Sequence, residues 1–334
     1  MDLKILDCTL RDGGYVNNWE FGENAILDIV SNLVKAKVDI IECGFLKNVP
    51  YDKDFSVFNS VENIEKIITP KSNDSMYVAM VKFGANELEP DNIPYYNEES
   101  LDGIRVIFQK DNIDSAIDYC KKIKEKGYKV FMQPVKISFY DEKTLLGLID
   151  KVNVLSPYAF YIVDTFGSMK EDDLIKLFRF VDDNLKDSIK IGFHSHNNLQ
   201  LSFSNTIALL GLKTQRDVII DSSVYGMGRG AGNLSTETIM QFINDNMAGK
   251  YSIPPLLNIY DKYLSAIYAK TPWGYSLPYF LSATYSCHPN YASYLTGKNI
   301  GIEIIDSILS SIPQEKKLKY DENLVENLYL KILK

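Results

Sequence analysis

Eight short runs of apolar, largely β-branched residues set the strongest limit on what this chain can fold into. They are Lys4 to Cys8, Val38 to Cys43, Met76 to Val81, Gly103 to Phe108, Lys129 to Pro134, Phe160 to Asp164, Ile189 to Phe193 and Asp217 to Asp221. Each is continuous rather than alternating, as expected of a parallel strand covered on both faces. Between most of them lie segments with helical spacing, such as Ala25, Ile26, Ile29 and Leu33, or Leu174, Leu177, Phe178 and Val181. Eight strand–helix units predict an α/β chain folded as a (β/α)8 TIM barrel, whose usual size is about 250 residues. An open doubly wound sheet also alternates strand with helix, but the count favours the barrel. The third helix has the weakest pattern, because Ala85 to Ser100 is polar and carries Pro90 and Pro94. Beyond Gly249 the Pro254-Pro255 pair breaks the alternation and a Tyr-rich, mainly helical extension follows. The expected division is therefore 1–249 for the barrel and 250–334 for the extension.

Charge removes some classes of partner. The chain carries 36 Lys and Arg against 44 Asp and Glu, a formal charge of -8, with no dense basic stripe. Nucleic acid and membrane surfaces are accordingly not expected partners. No stretch is long and apolar enough to span a bilayer, and Met1 runs straight into Lys4-Ile5-Leu6-Asp7 without a leader pattern, so a cytoplasmic protein is expected. Cys8, Cys43, Cys120 and Cys287 lie far apart with no CxxC pair, which argues against a zinc ribbon or a disulfide framework.

In a barrel of this kind the chemistry sits at the C-terminal strand ends. There the sequence places Asp7-Cys8-Thr9-Leu10-Arg11-Asp12-Gly13-Gly14, Glu42, Asp164-Thr165-Phe166-Gly167, His194-Ser195-His196 and a glycine-rich stretch from Gly226 to Gly232 followed by Asn233. His194 and His196 are one residue apart, so on an extended backbone both rings point the same way and can share a metal. The chain holds only three histidines, and chance would supply an HxH about 0.03 times per chain. A catalytic divalent ion also needs a hard ligand, which Asp12 supplies, with Asp7 the competing carboxylate. Arg11 offers a fixed planar cation for charge developing on an enolate oxygen, or an ordinary ion pair at the barrel mouth. Asn233 reads equally as a metal ligand or as a cap for the helix starting near Ser235. Glu42 and Asp164 read as inward groups that bind substrate or fix Arg11, or as paired rim carboxylates.

Taken together, Leu6 to Gly13, Ile40-Ile41-Glu42-Cys43-Gly44-Phe45, Val163 to Gly167, Gly192-Phe193-His194-Ser195-His196-Asn197-Asn198 and Gly232-Asn233-Leu234-Ser235-Thr236-Glu237 resemble the DRE-TIM metallolyase (HMGL-like) superfamily. That group contains hydroxymethylglutaryl-CoA lyase, isopropylmalate and homocitrate synthases, and 4-hydroxy-2-oxovalerate aldolase. The resemblance implies that Asp12, His194 and His196, with Asn233 as a further ligand, bind Mn2+ or Mg2+, and that Arg11 stabilises a pyruvate-type enolate. Its aldolases place a histidine base where this chain has Tyr15, so Tyr15, His288 or a metal-bound water is left to take that part. Its lyases carry a cysteine in the glycine loop that is absent from Gly228-Arg229-Gly230-Ala231, which argues against hydroxymethylglutaryl-CoA cleavage. The aldolase branch is the best match.

The expected substrates are a 2-oxo acid and an aldehyde, on a homo-oligomeric enzyme. The aromatic tail from Tyr251 reads as a substrate-pocket wall, as core or as a subunit contact; in the aldolase branch a helical tail docks a dehydrogenase, a partner that the resemblance leaves open here. An acyl-CoA-dependent synthase, or a metal- and oxo-acid-binding barrel without turnover, is the alternative.

Overall fold

In the computed structural model, which describes residues 2–212 and 214–332, the apolar runs form eight parallel strands closed into a ring. They are β1 (Leu3–Asp7), β2 (Ile40–Leu46), β4 (Met76–Lys82), β5 (Gly103–Phe108), β6 (Lys129–Pro134), β7 (Ala159–Asp164), β8 (Lys190–Ser195) and β9 (Val218–Ser222). The order β1-β9-β8-β7-β6-β5-β4-β2 closes where Leu6 pairs with Ile40 on one side and with Asp221 on the other. A two-residue strand, β3 (Val57–Phe58), extends the end of β2 outside the ring. That approach explains Gly44, which has φ +147° and whose added Cβ would lie 2.1 Å from the Ser56 carbonyl.

Helices Glu23–Lys35, Val61–Ile68, Ile113–Glu125, Glu142–Leu155, Glu171–Asn184, Ser202–Leu210 and Thr236–Asn246 cover the ring. Between β4 and β5 the described residues form one 3₁₀ turn, Pro90–Asn92, and no α-helix. The prolines that weakened the third helical pattern are the reason, since each removes a helical N–H.

Strand periodicity sorts the side chains into two layers. One face of the strands, including Ile41, Ala79, Ile104, Val130, Ile162 and Ile220, packs into the main core beneath the helices. The opposite face fills the barrel with Leu6, Ile40, Val78, Phe131, Tyr161 and Ile219. Two residues further along several strands the interior turns polar: Glu42, Arg105, Gln133, His194 and Asp221 are all buried. Those residues are the floor of the site.

After the barrel, a helix from Pro254 to Lys270, with one π turn at Tyr260–Leu264, packs against Glu23–Lys35. Its Leu256, Ile259 and Leu264 join the barrel core. The helices from Leu277 onward build a separate cluster around Cys287, Tyr291, Leu295, Ile308 and Val325. None of the described helices is long and apolar enough to cross a membrane.

Candidate metal centre and active site

The turn after β1 is fixed from within. Backbone N–H groups of Arg11 and Asp12 donate to the Cys8 carbonyl at 3.1 and 2.8 Å. Asp7 accepts from the Thr9 N–H at 2.9 Å and from the Thr236 hydroxyl at 2.7 Å. Burial pushes the Asp7 carboxyl up to about 6, partly offset by those bonds. Asp7 is thus an internal brace, and it is Asp12 that reaches the site.

On β8, His194 and His196 project together, their ring centroids 5.1 Å apart. One ligand atom from each of Asp12, His194 and His196 lies within 4.8 Å of the others. His194 Nδ1 is 2.9 Å from Asp221 Oδ2, which orients the ring and leaves Nε2 for the site. Burial, opposed by Asp12, pushes His196 down to about 3, so its ring is neutral and able to ligate. Asp12 is pulled up by burial, but Arg11, His196, His194 and the Asn233 amide more than offset this and hold it well below the usual carboxylate range. Asn233 donates to Asp12 Oδ2 at 2.9 Å and to the Met227 carbonyl at 3.1 Å, while its buried Oδ1 has no partner among the described residues. It does not cap the following helix, whose cap position is Ser235. Two imidazoles, a carboxylate and a neighbouring orphaned amide oxygen form a donor set that fits a divalent cation with open positions.

The glycine loop makes this approach possible. A Cβ added at Gly228 would lie 2.6 Å from Asn233 Nδ2 and 3.3 Å from Asp12 Oδ2, so a side chain there would push the loop off the site.

Beneath the trio runs a chain of alternating charge. Arg11 pairs with Asp12 through Nη1 and donates from Nε to Glu42 at 2.7 Å. Glu42 lies 2.8 Å from Arg105 Nη1, and Arg105 Nη2 pairs with Asp221, which returns to His194. With its amide oxygen turned toward the guanidinium, Gln133 accepts from Arg105 Nε at 2.7 Å. Buried charges persist only when so compensated. Glu42 therefore fixes Arg11, one of the two parts expected of it. Asp164 does not join the group: its oxygens accept the N–H groups of Ser168 and Met169 at 3.0 and 3.1 Å, bracing its own loop. Burial pushes Asp164 up to about 6.

Around the rim, Arg11, Asp12, Tyr15, His194, His196 and His288 share the walls of one cavity of about 130 Å³. Tyr15 is 39% exposed; burial of its phenol, with Asp12, raises its pKa. His288 comes from the extension, its ring 5.6 Å from Phe166. Its Nδ1 accepts from the Asn290 N–H at 3.2 Å, and burial, then Arg229 and Lys136, push it down to about 3. Five residues that the sequence reading did not single out, Arg105, Gln133, Asp221, Lys82 and Lys136, complete floor and rim. An arginine inside an apolar parallel strand, Arg105, was the available signal.

Several solved structures share this architecture. The N-terminal domain of a Bacteroides vulgatus protein provisionally named an aldolase superposes with TM-score 0.72 at 26% identity, covering 88% of this chain and 96% of that one. The Bacillus subtilis HMG-CoA lyase gives TM-score 0.61 at 13% identity, over 81% of this chain and 94% of that one, which is a likeness of fold. By sequence, oxaloacetate decarboxylase of Mycobacterium tuberculosis is 22% identical over 82% of this chain and 79% of its own length. The 4-hydroxy-2-oxovalerate aldolase of Thermomicrobium roseum is 25% identical over 80% of this chain and 73% of its own length. The HMGL-like family model matches residues 2–253, a span that contains Arg11, Asp12, Glu42, His194, His196 and Asn233, and the chain belongs to the HMGL-like family of aldolases and lyases.

Proposed function

We propose that this protein is a divalent-metal-dependent aldolase or lyase that makes or breaks a bond at carbon 3 of a 2-oxo acid. Asp12, His194 and His196, with Asn233 Oδ1 beside them, would hold Mn2+ or Mg2+, which when bound supplies a Lewis acid for the 2-oxo and carboxylate oxygens. The observation that carries the reading is Arg11. Its Nε and Nη1 are occupied by Glu42 and Asp12, yet its Nη2 is buried without a partner among the described residues, on a side chain that lines the cavity. A fixed N–H donor of this kind suits negative charge on an enolate oxygen. The floor's charge balance agrees: three carboxylates, Asp12, Glu42 and Asp221, face two guanidiniums, Arg11 and Arg105. A dication turns that deficit into an excess of one positive charge, which favours an anionic substrate.

Proton handling narrows the chemistry. The phenol of Tyr15, its pKa raised, stays protonated at neutral pH. His288 is neutral and its Nδ1 accepts a backbone N–H, so its own proton sits on Nε2. Both groups are set to donate a proton to the enolate carbon rather than to take one. This favours a second reading, decarboxylation of a 3-carboxy-2-oxo acid. There the C3–C4 pair passes to the enolate as CO2 leaves, and a donor then protonates C3 without any base.

The test is pyruvate release, with added Mn2+, from 4-hydroxy-2-oxo acids and from oxaloacetate, with Arg11→Lys as the control for free-metal reaction. Arg11-dependent release from the hydroxy acids supports the aldolase. Release from oxaloacetate alone supports the decarboxylase. No Arg11-dependent release from either overturns both and leaves a binding barrel without turnover.

A further inference from the structure

Three cations line the cavity without an acid to balance them. Lys82 ends β4, Lys136 follows β6 and Arg229 lies in the glycine loop. Among the described residues none of them makes an ion pair, and Arg229 has the Asn290 amide oxygen at 3.1 Å and the face of the Tyr15 ring at 5.7 Å. Asp12 is the one carboxylate among the described residues lining this cavity, and it is committed to Arg11 and the histidines. Lys82 is exposed and Lys136 and Arg229 are half-buried, whereas the buried Arg216 is matched by Asp182 at 2.6 Å. The mouth of the site therefore carries positive charge that the fold itself does not use.

Lys136 is placed with particular care. Its backbone is left-handed, φ 58° and ψ 32°, a conformation that residues with a Cβ adopt reluctantly, and its N–H is tied to Thr165 Oγ1 at 2.8 Å. Lys136, Gln109, Val135 and His288 line both the inner cavity and an outer chamber of about 560 Å³ under the extension. They mark the junction between the two. The outer chamber has mixed charge, with Asp111 and Glu315 beside Lys110 and Lys319, and Lys110 is taken by Asp141 at 2.9 Å. An anion is better served at the junction than beyond it.

We propose that the carbonyl compound which joins or leaves the enolate carries an anionic group of its own, a phosphate or a carboxylate, received by Lys82 and Arg229 in the inner cavity and by Lys136 at the junction. The inference rests on the reading above, in which the carboxylate of the 2-oxo acid is held at the Asp12, His194 and His196 end. A small neutral aldehyde would leave all three cations unmatched. An anionic partner extending through the junction matches them and places its carbonyl between Arg11 and the His288 Nε2–H.

The test uses three unreactive mimics, glycerol 3-phosphate, glycerate and glycerol, titrated calorimetrically into the Mn2+-supplied protein. At least one of the two anions should bind at least about tenfold more tightly than glycerol, and which one does identifies the group. The double variant Lys82→Gln, Lys136→Gln should lose the preference, Lys136→Arg should keep it, and so should His194→Ala. Equal binding of the three mimics overturns the proposal, as does a preference that survives the double variant or disappears with His194→Ala. Metal-dependent exchange of pyruvate protons in the wild type separates this failure from that of the underlying reading. Exchange without anion preference removes the anionic partner alone, whereas anion preference without exchange removes the enolate chemistry alone.

Discussion

Arg105, inside β5, and Lys136, two residues past the end of β6, are held in opposite ways. Arg105 has no exposed surface, pairs with Glu42 and Asp221, and lies 4.8 Å over the ring of Tyr161. Lys136 is half-buried, keeps an unusual backbone conformation, and has no acid partner among the described residues. The same contrast separates the floor, where each charged side chain meets another of opposite sign, from the rim, where Lys82, Lys136 and Arg229 have no acid partner among the described residues. In the floor, removing any member strands a buried charge and disturbs its neighbours. In the rim, a side chain can change with little structural cost. Floor chemistry is therefore fixed for this scaffold, and rim chemistry is where the substrate is chosen.

The largest effects should come from breaking the floor at its metal end. His194→Ala and Asp12→Asn should each purify folded but without retained Mn2+, because each removes one of three converging ligands. Metal content equal to wild type in either variant would show that the trio is not the centre. Next in size, Arg11→Lys keeps the charge but loses the free Nη2 donor, so exchange of pyruvate methyl protons with deuterium should slow by about 100-fold or more. An unchanged exchange rate by NMR would take the enolate role from Arg11.

One shell further out, Asp221→Asn leaves the trio intact but weakens the bond that orients His194. Manganese affinity should fall by about 10–100-fold, read by equilibrium dialysis. Asp164→Asn serves as its contrast: also a buried aspartate at a strand end, it has the outward parity of Phe160 and Ile162 and accepts only from its own loop, so its manganese affinity should match wild type. If the two variants behaved alike, the chain of charges from Asp221 to Asp12 would not be a functional unit.

Much of this floor was written in the chain by the period of two. On strand after strand the polar residue stands two places beyond an inward apolar or glycine position: Ile40 then Glu42, Gly103 then Arg105, Phe131 then Gln133, Gly192 then His194, Ile219 then Asp221. The continuous apolar runs made the parallel strands and their number legible, and Arg11, Asp12, Glu42 and the histidine pair were singled out as candidates because motif and strand end coincided. Arg105 and Asp221 were passed over because no motif marks them, and only parity identifies them as inward. Asp164 misled for the opposite reason. It sits at a strand end, but it shares the outward parity of Phe160 and Ile162, and the N–H groups of Ser168 and Met169 occupy it. The rim depended on tertiary contact: nothing local to Cys287-His288-Pro289 says that Phe166, 122 residues earlier, will be its neighbour.

The smallest effect sharpens the comparison from the rim side, and His288 supplies it. If His288 were the missing base, its replacement should cost about 100-fold or more in exchange. If it is a rim donor, the cost should be about tenfold or less. His288→Asn is the informative change, because Asn is a favoured helix cap and can keep the bond to the Asn290 N–H while removing the titration. The sign of the accompanying stability change is fixed. Burial, then Arg229, Lys136 and Lys82, push the folded-state pKa down to about 3 from the ordinary value of 6.5. The unfolded chain therefore takes up a proton first as pH falls, and wild-type stability drops through the window from about 6.5 to about 3. Discounted for partial exposure, the loss attributable to this ring is on the order of 2 kcal/mol. His288→Asn should thus unfold at lower pH than wild type, while their stabilities at pH 8 stay within about 1 kcal/mol. Denaturant melts at pH 8, 6 and 4 measure this directly. A variant that lost stability in acid as steeply as wild type would show that His288 is not desolvated at the mouth of the site, and the inference that its Nε2–H faces the substrate would fall with it.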